Sequence, residues 1–395
     1  MRILIAGGGL GGLTAALALL RAGFDVDVFE QAPSLAEVGA GIQISANGSR
    51  VLYELGLKEA LDPVIFVPEG KIIRMWNTGE TQPLFDLGVE SIRLYGFPFF
   101  MLHRADLLDV LAAAVRGRKP NAIHLSSRCE NCRQDSDGVS VTLQDGTVVR
   151  GDVLIGADGI HSKVRETLFG TDKPRFTGTI AWRGLIRRQD LPPNLLKPVG
   201  TNWVGPGGHV VHYFVRGGEL LNFVGIRENT EWQVESWTAQ GTTDECLQDF
   251  AGWHEDVQTL VRNIGTPYKW ALKVREPMKE WVRGRAALLG DACHSTLPYL
   301  AQGASMGFED AVVLARCLAD QKNGVEEALT RYENARRERT SKIVNQSTET
   351  GKVFHNHDFS DPEKARAYLY QQWSPDQISE RYRWLFTYDA AAVPI

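Results

Sequence analysis

The chain has 395 residues, 43% of them apolar and 23% charged, with 43 basic and 48 acidic side chains and a formal charge of −5. These values suit a globular protein of about two domains, and the interspersed charges exclude a dedicated polyanion-binding surface. No apolar run reaches the ~18 residues needed to cross a bilayer, and the N-terminal glycines belong to a structural unit rather than a cleavable leader, so a cytoplasmic location is expected.

The first element is the most informative. Residues 3–6 form a short apolar strand that runs into Gly7-Gly8-Gly9-Leu10-Gly11-Gly12, a G-x-G-x-x-G turn, followed by an apolar helix over 13–21. In such a unit Gly7 permits the tight turn and Gly9 lets backbone N–H groups approach a pyrophosphate. Gly12 lets helix and strand pack closely, and the helix N-terminus favours negative charge. A second strand over 25–29 ends at Glu30, about 20 residues past the glycines, where a carboxylate accepts ribose hydroxyls. Together these features predict an adenine dinucleotide site.

Residues 37–44 form a glycine-rich segment leading into a short helix over 48–55. Residues 71–76 read as a strand, with Asn77-Thr78-Gly79 as a turn. His103-Arg104-Ala105-Asp106 opens an amphipathic helix with Leu107, Leu108, Leu111 and Val115 on one face. Cys129 and Cys132 form C-x-x-C within a strand over 127–134, where residues three apart face opposite sides. With five cysteines in all and no matching Cys or His pair, neither a metal site nor a disulfide framework is expected. Residues 139–143 and 147–149 flank Gln144-Asp145-Gly146, a hairpin signal. Residues 153–156 are a buried strand ending in Ala157-Asp158-Gly159.

From 177 to 270 helical periodicity mostly drops out. Short strands are expected at 179–186, 208–215 and 219–227, and only 242–264 looks helical. A strand over 286–291 and a long helix over 303–322 follow, then helices over 331–352 and 363–385. The fold class is therefore α/β. A discontinuous Rossmann-like domain (1–70, 100–176 and 275–345) carries an inserted, mainly antiparallel β-sheet domain (71–99 and 177–274), with a C-terminal helical region over 346–395. In the 208–215 strand, alternation puts His209, Val211 and Tyr213 on one face and His212 on the other. His209 and Tyr213 stand about 13 Å apart at their backbones, a span that suits a small aromatic acid.

Three more segments carry a family resemblance: Gly156-Ala157-Asp158-Gly159-Ile160-His161-Ser162, Leu289-Gly290-Asp291-Ala292-Cys293-His294, and Pro298-Tyr299-Leu300-Ala301-Gln302-Gly303-Ala304-Ser305. With the N-terminal motif they make essentially the whole chain similar to the single-component flavoprotein aromatic hydroxylases typified by p-hydroxybenzoate hydroxylase. The nearest patterns are those of salicylate, 3-hydroxybenzoate and 6-hydroxynicotinate hydroxylases. The resemblance implies bound FAD, held at one end by Gly7, Gly9, Leu10, Gly11, Gly12, Glu30 and Gln31. It places Asp158 near the pyrophosphate, Asp291 on the ribityl hydroxyls, Pro298 beside the isoalloxazine, and the amides of Gly303 and Ala304 at the flavin edge. Arg104 matches the family's FAD-contacting arginine, which balances pyrophosphate charge.

By the same resemblance His209 takes the phenolic proton of the substrate and Tyr213 orients its ring, with Gln43, Pro298 and Tyr299 as further substrate-binding residues. An ordinary imidazole titrates near 6.5, which makes that proton transfer inexpensive at neutral pH. The implied reaction uses NADH or NADPH transiently and dioxygen through a flavin C4a-hydroperoxide. It hydroxylates a small phenolic aromatic acid of salicylate or hydroxybenzoate type, with a homodimer as candidate assembly and neither nucleic acid nor membrane as partner. Gln43 and Tyr299 stand where the 6-hydroxynicotinate pattern carries histidines, and Pro298 where 3-hydroxybenzoate 6-hydroxylase-like sequences carry glutamine. An N-heteroaromatic acid or a larger natural product as substrate therefore stays open, as does a non-catalytic dinucleotide-binding module.

Overall fold

Short runs buried on both faces build the first sheet, apolar apart from the second strand, whose buried Asp27 is paired with Arg2 and Lys119. Arg2–Ala6, Asp25–Phe29, Val153–Gly156 and Ala286–Leu288 are buried almost throughout, as parallel strands covered on both faces must be. The computed structural model describes residues 1–35, 41–232, 239–320 and 322–395, so residues 37–40 of the glycine-rich segment lie outside it. The strand order is Val282–Arg283, Ala286–Leu288, Val153–Gly156, Arg2–Ala6, Asp25–Phe29 and Ile123–His124, parallel except for the Val282–Arg283 edge. Helices Leu10–Arg21, Arg104–Arg118 and Gly303–Ala319 pack around it, with Leu107, Leu108, Leu111 and Val115 buried as their spacing requires.

The second sheet has seven strands in the order Tyr268–Val274, Arg175–Arg187, Leu220–Glu228, Gly208–Val215, Val199–Gly205, Gly70–Met75 and Thr81–Asp86. Its pairings are antiparallel apart from Val199–Gly205 with Gly70–Met75. One face carries Trp182, Trp203, Phe214 and Phe223, packed in one core with Phe250, Val257 and Leu260 from two short helices. Aromatic rings of that size dominate the burial of such a core. The other face carries His209, Val211 and Tyr213.

Several elements differ from expectation, each for a local reason. The glycine helix begins at Leu10, because the glycine turn closes one turn earlier. The helix over 242–264 is two, Thr243–Asp249 and Glu255–Arg262. Thr242 and Glu245 form a reciprocal cap on the first, while Gly252 at φ +78° turns the chain before His254 caps the second. The helix over 363–385 is also two, Pro362–Gln372 and Pro375–Phe386, since Pro375 cannot continue the first and Ser374 caps the second. Helix Val325–Phe354 runs unbroken through residue 346. Cys129 and Cys132 do not face opposite sides. A bulge between Cys129 and Asn131 adds one residue, so Cys129 pairs with Leu143 and Cys132 with Val141, and both thiols are buried on one side.

Candidate active site

The glycine turn shows why its residues are small. Gly7 has φ +104°, and a Cβ there would lie 2.3 Å from the Ala157 carbonyl oxygen; at Gly12 it would lie 2.0 Å from the Gly7 oxygen. A Cβ on Gly9 would meet no atom of the described residues within 4 Å. Gly7 and Gly12 are thus required by the protein itself, whereas Gly9 keeps open space beside the turn. Glu30 caps this turn from the end of the second strand, accepting from the Gly8 N–H at 2.7 Å and the Ala32 N–H at 2.8 Å.

That open space belongs to a cavity of about 390 Å³ between the two sheets, within the range of small-ligand sites. Of the residues singled out in the sequence, Gly9, Leu10, Gly11, Gln43, Arg104, His209, Tyr213, Asp291, Pro298, Gly303 and Ala304 line it. Gly7, Gly12, Glu30, Gln31, Asp158 and Tyr299 do not. Asp158 is turned back, accepting from the N–H groups of Lys163 at 2.7 Å and Val164 at 3.2 Å at the start of a helix, while its Oδ1 is buried without a partner. Burial pushes its pKa up, opposed by those hydrogen bonds. Tyr299 sits behind His209, ring centres 5.5 Å apart, rather than in the cavity wall.

On the first-sheet side, the Asp291 carboxylate faces the cavity with no hydrogen bond from any described protein group. The enclosure raises its pKa, against the opposing charges of His294 and Arg104. Beside it the Gly303–Ala319 helix starts without a side-chain cap, so its first N–H groups are available to a ligand. The preceding Ala301 holds the left-handed region at φ +53°, a conformation that costs about 1 kcal/mol or more outside glycine. The open Gly9 and an undonated carboxylate fit the pyrophosphate and ribityl portions of a flavin nucleotide, and the uncapped helix start fits its ring edge.

This helix is anchored from behind. Asp310 accepts from His294 Nε2 at 2.6 Å, Arg336 Nε at 2.7 Å and the Gly290 N–H at 3.1 Å. Glu309 accepts from Arg336 and Arg339 at 2.7 Å, and from Asn47, which also donates to the cavity residue Gln302 at 2.9 Å. Burial opposes the charge on Asp310, but His294 and Arg336 outweigh it and hold the carboxyl at about 2. Burial likewise opposes a charged His294, yet Asp310 lifts it well above the usual imidazole range.

On the second-sheet side, His209 is 2% exposed, and its Nδ1 lies 2.7 Å from His355 Nε2. Burial, then His355 and Lys71, push its pKa well below 6.5. The inexpensive protonation expected from an ordinary imidazole therefore does not hold. His212 lies on the other face, where burial takes it down to about 3. Sequence reasoning missed Arg183 and Trp270, which line the cavity with the guanidinium 4.9 Å from the indole centre, and His355, which lies 146 residues from its partner. Alternation marks faces within each strand, but only the cross-strand register brings Arg183 opposite Val224 and so onto the His209 face.

Residues 1–347 match the sequence model of the FAD binding domain family. The chain is 37% identical over 393 residues to the 3-amino-4-hydroxybenzoate 2-monooxygenase PtnB3 of Streptomyces platensis, spanning 99% of this chain and 97% of that one. It is 36% identical over 386 residues to a 3-hydroxybenzoate 6-hydroxylase of Polaromonas naphthalenivorans, spanning 97% and 95%. The solved structure of Klebsiella pneumoniae HpxO with FAD and uric acid is similar with a TM-score of 0.84 at 29% identity, covering 100% of this chain and 97% of that one.

Proposed function

Because the chain belongs to the FAD-binding flavoprotein aromatic monooxygenases, we propose that its cavity holds the flavin on the Asp291 side and a small phenolic aromatic acid, of salicylate or hydroxybenzoate type, on the His209 side. The observation that carries this reading is the placement of His209 and Tyr213 in one cavity with Asp291, Pro298 and the start of the Gly303–Ala319 helix. The hydroxybenzoate-type substrates named for PtnB3 and the Polaromonas enzyme support the choice of substrate class.

Reduced by NADH or NADPH, bound FAD supplies the activation of dioxygen from which one oxygen atom passes to the ring. Gly9 leaves room for the pyrophosphate, Arg104 balances its charge, and Asp291 takes ribityl hydroxyls. Donors at the helix start meet the flavin edge, where its reduced form carries negative charge. The apolar residues Val211, Val224, Ile226, Leu297 and Pro298 keep water from the reacting centre.

His209 takes the phenolic proton. His209 can act as a base in the arrangement where its Nδ1–H donates to His355 Nε2, since the other ring nitrogen then presents a lone pair. Burial makes a lasting imidazolium costly here, so the charge on His209 is transient and is offset by the phenolate beside it. The test is His209→Ala in the yellow holoenzyme, with aromatic-acid-stimulated NADH oxidation and product mass measured. Hydroxylation is expected to fall about 10²- to 10⁴-fold with FAD content unchanged. Unchanged turnover removes His209 from the mechanism, and a folded chain that takes up no FAD removes the reading altogether.

A further inference from the structure

Lys71 is a buried-stem cation whose one hydrogen-bond partner among the described residues, Gln43, is neutral. It pairs in register with Gly200, the residue before Thr201, which in turn pairs with His212; Lys71 thus lies two strands from Tyr213, across Gly200, on the same face. Since Gly200 has no side chain, the lysine stem lies over it: a Cβ there would come 3.3 Å from Lys71 Cγ and 3.6 Å from Cε. Its Nζ donates to Gln43 Oε1 at 2.9 Å and stands 5.8 Å from the centre of the Phe99 ring. Among the described residues no carboxylate lies within ion-pair distance of it.

Direction follows from donor chemistry. An ammonium can only donate, so Lys71 claims the carbonyl end of the Gln43 amide and leaves its NH₂ end to donate elsewhere. Gln43 lines the cavity together with Tyr213. The cation thus reaches the cavity wall through one amide whose remaining end is a donor.

We propose that Lys71, acting through Gln43 beside Tyr213, makes this end of the cavity a subsite for the anionic group of the substrate, the carboxylate of an aromatic acid. Lys71 is a positioning and specificity residue, since Gln43 stands between it and the ligand. The inference rests on the aromatic-acid reading of the cavity. The ionisable groups near it are Tyr213, whose pKa burial raises, and His209, whose pKa burial lowers, so both are uncharged at neutral pH. Burial brings Lys71 itself down to about 8. Its charge is present below that value and fades as pH rises through it, so selection for an acid weakens there in the free enzyme.

The test compares a hydroxybenzoate turned over by the holoenzyme with the matching hydroxybenzamide, in wild type, Lys71→Met and Lys71→Arg, alongside FAD content. In Lys71→Met the KM for the acid is expected to rise about 10- to 100-fold, with the amide moving less than about threefold and kcat retained. Lys71→Arg restores most of the acid KM. In wild type the acid-to-amide ratio of kcat/KM falls above about pH 8, and in Lys71→Met it is flat. Equal losses for acid and amide overturn the assignment, as does an acid preference that survives Lys71→Met and so points to Arg183. If Lys71→Met loads no FAD, the wild-type ratio decides alone, a flat profile across pH 8 counting against Lys71. If wild type turns over neither compound nor any other aromatic acid, the substrate reading itself falls and the subsite with it.

Discussion

The two walls of the cavity differ in how their buried polar groups are partnered. Behind the Gly303–Ala319 helix, Glu309, Asp310, Arg336, Arg339 and His294 are joined by charge-assisted bonds that leave the second ring nitrogen of His294 as their one unpartnered atom among the described residues. Across the cavity, the seven-stranded sheet buries polar atoms without described partners on both its faces: Asn202 Oδ1 and Asn222 Nδ2 on the His209 face, and Trp203 Nε1 and both nitrogens of His212 on the other. A charge-assisted network with few alternatives holds the start of the Gly303–Ala319 helix in place. Under the function proposed above, that rigid side is the cofactor's, and the sheet with spare hydrogen-bonding capacity is the substrate's.

The sharpest way to break that contrast is Asp310→Ala. It strands Arg336 and His294 in a dry interior, and a loss of about 3–5 kcal/mol is expected in urea denaturation; a loss below about 1 kcal/mol would mean that the network contributes little. The same carboxyl gives a pH signature. Its folded value of about 2 lies below the ordinary 3.8, so its contribution is present above pH 4 and is lost as pH falls toward 2. Asp310→Asn is expected to flatten this acid limb in a stability-versus-pH series.

Gly9→Ala separates fold from cofactor. Since a Cβ there meets no atom of the described residues, stability is expected to hold within about 1 kcal/mol, while FAD affinity falls about tenfold or more in fluorescence titration of the apoprotein. Equal losses in both would return Gly9 to a purely structural role. The smallest effect belongs to the sheet. Asn202→Leu removes an acceptor that has no partner, and unfolding free energy is expected to change by less than about 1 kcal/mol. A loss like that of Asp310→Ala would abolish the distinction between the walls.

What the sequence revealed follows the same divide. The glycine turn, the helix after it, the strand over 25–29 and the strand over 208–215 were legible because their signals are local: glycine spacing, apolar runs, and alternation within one strand. The strands Val199–Gly205 and Tyr268–Val274 were not, since Gly200 interrupts the first and lysines break up the apolar run of the second. Cofactor-side residues such as Asp291 and Gly303 sit at ends of elements, where chain order announces them. Lys71, Arg183 and His355 reach the site or its immediate surround only through register between distant strands, or through the end of a long helix. No spacing rule connects His355 to His209. The bulge at Cys129 shows the limit in miniature, since one extra residue reverses a side-chain direction that alternation alone would assign.

That bulge has a practical consequence. With Cys129 and Cys132 turned inward, all five cysteines of the chain are buried. They are spread over one hairpin strand (Cys129 and Cys132), the first helix packed on the seven-stranded sheet (Cys246), the short helix Asp291–His294 (Cys293) and the long helix Gly303–Ala319 (Cys317). An alkylating reagent meets none of them in the native protein, so the sequence in which they take up label under rising denaturant records which part of the molecule opens first.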